Sequence, residues 1–93
     1  MFVYKMVVRR SVINAFDPTK LFEEEDCDLG LFSNKKKADQ AFVKLCDDEI
    51  DWWIRCNEKV EVESSYPKEH KVRIERYGEI IWLVGTIEKI KVQ

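Results

Sequence analysis

The chain contains no run of about 18 apolar residues, so it predicts no membrane-spanning helix. It has one histidine and three cysteines. The cysteines form no Cys-x-x-Cys pair, and their odd number argues against a disulfide framework, so a reducing, cytoplasmic setting is expected. Cys27, Cys46, Cys56 and His70 match no zinc-knuckle spacing, and no metal or other cofactor is expected. Glycine-rich phosphate loops, nucleophile elbows and metal-binding helix motifs are absent. Asp47, Asp48, Glu49 and Asp51 crowd one segment without forming a readable acid–base pair. With no catalytic set to assign, the chain reads as non-enzymatic. An excess of one charge is also lacking. Sixteen basic residues nearly balance 18 acidic ones, which supports neither nucleic-acid binding driven by net charge nor an acidic mimic of DNA. The first residues alternate like a strand and carry Lys5, Arg9 and Arg10, unlike the basic-then-apolar pattern of a secretory leader.

The 93 residues suffice for one domain, residues 1–93, with a modest core. Val3 to Ile13 predicts the first strand, with Tyr4, Met6, Val8 and Val12 on one face, interrupted by Arg10. Asn14 to Asp28 reads as a long connection opened by an Asp17-Pro18 turn. Thr19 to Glu25 has room for a helical turn that tucks Leu21 and Phe22 inward. Leu29 to Phe32 predicts a short second strand, and Ser33 stands where a hydroxyl can cap a helix. Ala38, Ala41, Phe42, Leu45 and Cys46 recur at helical spacing. The pattern continues through Ile50, Trp53 and Cys56, with a break expected near Asp47-Asp48.

Glu58 to Ser65 alternates, with Val60 and Val62 on one face, and suggests a short edge strand. Val72 and Ile74 lead to a hairpin turn at Tyr77-Gly78, where glycine tolerates positive φ. Ile80 to Val84 is continuously apolar and suits a central strand buried on both faces, with a bulge at Gly85. The expected fold class is α+β. An antiparallel sheet of four to five strands carries one main helix on one face, in the order β-β-α-(β)-β-β. Phe42, Leu45, Ile74, Trp82 and Val84 are the expected core.

The step from Leu31-Phe32-Ser33 to Ala38, following a first strand, resembles a diffuse group of small proteins found in bacteria and especially in bacteriophages. Members combine an initial strand, a Phe-Ser cap into a helix and a closing β-hairpin. The resemblance implies no catalytic residues. It suggests a bacteriophage-type effector or inhibitor of a host defence protein. Members often carry acidic residues in the first helical turn, where this chain has Lys35, Lys36 and Lys37.

Three clusters are candidate partner sites. Lys35, Lys36 and Lys37 put cations where the helix dipole favours anions. They form either an anion site for a nucleotide, a nucleic acid or an acidic partner, or a solvated run neutralised by the acidic cluster Glu23 to Asp28. That cluster, with Glu23, Glu24 and Glu25 at its head, lacks the spacing of a calcium loop. It reads as solvated or as a dock for a basic partner. Trp52, Trp53 and Arg55 have the composition of an interface hot spot or of a base-stacking platform. Neighbouring helical residues point about 100° apart, so both rings do not enter one core and one is expected to be partly exposed. The alternative to a partner site is that one ring caps the core edge and the other covers the sheet or a loop. The leading expectation is a protein-binding module. Nucleotide or nucleic-acid binding at Lys35–Lys37 is the alternative, and open sheet edges leave room for a homodimer.

Overall fold

The computed structural model describes all of residues 1–93. Five strands and one helix follow in the order β1 (Phe2–Asn14), β2 (Leu21–Phe32), α1 (Lys35–Arg55), β3 (Glu61–Ser64), β4 (Lys71–Arg76) and β5 (Glu79–Lys91). The strands form one sheet in the spatial order β2-β1-β5-β4-β3, with every neighbouring pair antiparallel. The helix packs on one face, so the α+β architecture is the expected one.

The second strand is much longer than the apolar pattern suggested. Thr19 to Glu25 forms no helical turn, and Leu21 and Phe22 are exposed rather than tucked in. Two local causes are visible. Asn14 Oδ1 accepts the backbone N–H groups of Phe16 and Asp17, and the Asn14 N–H donates to the Lys20 carbonyl, which closes a tight loop. The acidic run then lies beside cations of β1, with Arg9 opposite Asp26 and Arg10 opposite Glu25. Cross-strand opposite charges stabilise such a pairing, so a polar run becomes a strand.

The helix N-cap is Asn34, not Ser33. Its side-chain oxygen accepts the Lys37 N–H at 2.9 Å. No break occurs at Asp47-Asp48, and α1 runs unbroken for 21 residues. Both carboxylates point to solvent, and Asp48 pairs with Lys44 one turn earlier at 2.8 Å. Exposed charges of this kind support a helix rather than interrupt it.

The core lies between α1 and the middle of the sheet. Met6, Val8 and Val12 of β1 meet Ala38, Phe42 and Cys46 of the helix, with Val72 and Ile74 of β4 and Ile81 and Leu83 of β5. Trp82 and Val84 were expected here and are not part of it. Residue parity on a strand is strict, and the residues facing the helix are Ile81 and Leu83. Val84 is exposed on the opposite face, and Trp82 lies half-buried there with the Lys71 ammonium 4.8 Å from its ring centre. Leu45 is half-buried at the margin of the core. β5 is central in the sheet, but only one of its faces has a helix over it.

Gly85 is not a bulge. It pairs in register with Val8, and its N–H donates to the His70 carbonyl at 2.7 Å. A Cβ there would stand 2.8 Å from Phe42 Cδ1. The glycine is what lets the Phe42 ring lie against the sheet. Gly78, with φ of 77°, makes the β4–β5 turn.

Candidate interaction surface

The acidic cluster is fully engaged within the hairpin. Asp28 pairs with Lys5, Asp26 and Glu24 with Arg9, and Glu23 and Glu25 with Arg10. Alternation along β2 sends Glu23 and Glu25 toward the helix side of the sheet and Glu24 and Asp26 to the open side. Arg10, the polar interruption in the apolar face of β1, also binds Glu49 of α1. Burial opposes its charge, but the hydrogen bond to Glu49 and the charges of Glu49, Glu23 and Glu25 outweigh that and raise its pKa. Arg9 similarly holds the Asp26 carboxyl below its ordinary range, mainly through a hydrogen bond. The cluster is therefore cross-strand glue.

Lys35, Lys36 and Lys37 are exposed and form no ion pair. The expectation that they neutralise Glu23 to Asp28 is corrected, because β1 already supplies those countercharges.

The two tryptophans separate as their 100° offset requires. Trp53 turns to the core margin, where the Arg76 guanidinium lies 3.6 Å from its ring centre, a cation–π contact. Its Nε1 is buried without a hydrogen-bond partner. Trp52 and Arg55 are exposed on the last turns of the helix.

Phe16, Leu21, Phe22, Tyr77 and Ile54 join Trp52 as large apolar side chains that are more than half exposed, Tyr77 at 91%. These six lie toward one end of the molecule, whereas Met1 and Leu31, also more than half exposed, lie at the other. Ile13 opposite Leu21 and Asn14 opposite Glu79 place the β1–β2 loop beside the β4–β5 turn, and Ala15 N–H donates to the Gly78 carbonyl. The Arg76–Trp53 contact brings the C-terminal end of α1 to the same place. The cause is a mismatch of lengths. Thirteen strand residues span about 43 Å, whereas 21 helical residues span about 31 Å. The helix cannot cover the whole sheet, so Phe16, Leu21, Phe22 and Tyr77 at strand ends and turns stay in solvent, as do Trp52 and Ile54 on the outer faces of the last helical turns. Of these, only Trp52 was a candidate from sequence. The signal for Phe16 and Tyr77 was their place in turns, beside Asp17-Pro18 and Gly78, where core residues seldom stand.

A second uncovered region lies along the opposite side of the helix. α1 packs chiefly over β1 and β2, which leaves β3 exposed along its whole length. A cleft of about 160 Å³ opens between them, floored by Phe42, Cys46 and Val72 and walled by Val43, Ile50 and Val62.

The chemistry of the remaining polar groups is limited. Burial, followed by the charges of Asp47 and Glu49, pushes the Cys46 thiol up to about 12. The Cys27 thiol is also raised, chiefly by burial and then by Glu25. Neither is a ready thiolate nucleophile. His70 Nε2 lies 2.8 Å from Asp39 Oδ1, and its ring stands edge-on to Phe42 and Tyr66. No group of three His, Cys, Asp or Glu side chains converges to hold a metal ion. No helix is long and apolar enough to cross a membrane.

The architecture defines an antiparallel α+β protein with one helix on a five-stranded sheet. No family model, curated protein or solved structure matches the chain.

Proposed function

We propose that the chain is a non-enzymatic protein-binding module. The observation that carries this reading is the aromatic and aliphatic end formed by Phe16, Leu21, Phe22, Trp52, Ile54 and Tyr77. Scattered apolar residues are normal on a surface, but a cluster at one end favours burial against a partner. Aromatic side chains with Arg55 beside them have the composition of a binding hot spot. The raised thiols of Cys27 and Cys46 fit binding better than nucleophilic catalysis. Three free cysteines fit a reducing, cytoplasmic setting. The resemblance to small bacteriophage proteins supports the narrower reading, an effector or inhibitor of a host protein.

The test is affinity capture from bacterial cytosol, with the retained protein identified by mass spectrometry. Capture of one protein that survives raised salt and is lost in Trp52→Ala or in the Phe16→Ser/Tyr77→Ser double variant is the expected result. Capture unaffected by both variants overturns the assignment of this end.

One observation favours a second reading. Lys35, Lys36 and Lys37 have no carboxylate partner and stand at a helix start that suits an anion. Binding to an oligonucleotide that weakens steeply with salt and disappears in the triple Lys→Gln variant would select nucleic-acid binding instead.

A further inference from the structure

We propose that the cleft between α1 and the edge strand β3 receives an extended peptide segment with alternating aliphatic and basic residues, which adds to the sheet as a sixth strand. This surface lies on the other flank of the helix from Trp52 and away from Phe16 and Tyr77.

Three observations meet here. First, β3 has β4 on one side and no strand on the other, so its outer backbone N–H and C=O groups are open to a further strand. Second, the helix side of that edge is apolar. Val62 is 45% exposed and faces Val43 and Ile50 across the cleft. The volume of about 160 Å³ is close to the ~150 Å³ of an apolar cavity that holds a benzene-sized guest, enough for one aliphatic side chain. Third, the charges around it lack partners. Glu23, Glu24, Glu25, Asp26 and Asp28 on the opposite edge each have a cation within 4.0 Å. Asp47 at the cleft and Glu61 and Glu63 on β3 have none.

Register then sets the pattern of the occupant. Val62 and Ser64 lie opposite Ile74 and Val72, whose side chains enter the core, so they share the helix face, and Glu61 and Glu63 share the open face. An added strand would place alternate side chains in the cleft and the intervening ones beside Glu61 and Glu63. Aliphatic residues suit the first set and Lys or Arg the second. A second copy of this chain pairing through β3 would set Glu61 and Glu63 against their own kind, which is unfavourable. The charge pattern therefore selects a cationic partner strand over self-association.

The test uses three capped nine-residue peptides with the intact chain. One alternates Ile and Lys, one alternates Ile and Glu, and the third repeats the Ile/Lys sequence with two adjacent central amides N-methylated, which blocks both hydrogen-bonding edges. Calorimetry reads affinity, and amide chemical shifts read location. The expected result is binding of the Ile/Lys peptide alone, with shifts confined to β3 and the facing helix residues Val43, Asp47 and Ile50. Glu61→Lys/Glu63→Lys, both exposed positions, should weaken it by about tenfold while the remaining amide spectrum stays in place. Equal binding of the Ile/Glu or N-methylated peptide, shifts centred on the open sheet face or on Phe16 and Tyr77, or no binding up to about 1 mM overturns the proposal. Shifts centred on Phe16 and Tyr77 would place the peptide on the aromatic end; the other outcomes leave capture through that end untouched.

Discussion

The Phe42 ring lies where a side chain at position 85 would have to stand. Replacing Gly85 with Ala forces a Cβ to within 2.8 Å of a ring that is itself fully buried. Overpacking of this kind costs about 1–3 kcal/mol, so Gly85→Ala should lower the urea midpoint clearly. Phe42→Ala removes the ring and leaves a cavity, which costs about 3–5 kcal/mol. A loss under about 1 kcal/mol in denaturant titration would show that Phe42 does not hold the core.

Cys46 carries a pH signature. In the unfolded chain a thiol ionises near 8.5, whereas in the folded protein Cys46 holds its proton up to about 12. Between those values the unfolded state binds fewer protons, so stability falls as pH rises. The contribution is fully present below about pH 8.5 and declines by up to about 1.4 kcal/mol per pH unit above it. Cys46→Ala should flatten the alkaline side of the stability curve. In the native protein at pH 8, iodoacetamide should modify exposed Cys56 and spare buried Cys46. Equal rates at the two thiols would contradict the burial of Cys46.

At the scale of the element, α1 starts against its own dipole. Its first turn holds Lys35, Lys36 and Lys37 and no acidic residue. None of the three lysines is tied into an ion pair, so replacing them with Glu should stabilise the protein by about 1 kcal/mol or more, each charge contributing roughly 0.3–1 kcal/mol. A fall in thermal midpoint would mean that the lysines neutralise the acidic strand after all. Asn34→Ala should act in the opposite direction and cost about 1 kcal/mol, because the Lys37 N–H loses its acceptor. Ser33→Ala, one residue earlier, should leave stability within about 0.5 kcal/mol.

At the scale of the molecule, the extents of 48 × 27 × 21 Å follow from the long strands β1, β2 and β5. A sheet longer than its single helix must leave apolar side chains uncovered. Those at the end carrying Phe16 and Tyr77 should contribute to binding and hardly at all to folding. The Phe16→Ser/Tyr77→Ser variant should therefore keep its unfolding free energy within about 0.5 kcal/mol per substitution while losing the captured partner. A large fall in stability would place the two rings in the core instead.

The sequence by itself determined the elements whose residues repeat with a clear period. The alternation in β1, the Phe42–Cys46 stripe of α1 and the Tyr77-Gly78 turn could each be read, because local periodicity reports which side of an element is buried. The α+β class followed from their order. Long-range pairing decided the rest. Glu23 to Asp28 looked like a solvated loop because its stabilising partners, Lys5, Arg9 and Arg10, lie on another strand. Ile80 to Val84 is apolar at every position, so its sequence carries no parity. Only the register against β1 and β4 sends Ile81 and Leu83 to the helix and leaves Trp82 and Val84 outside. The exposed end and the cleft at β3 were illegible for the same reason. They arise from the length of the helix relative to the sheet and from the side on which it lies, and no single segment encodes either.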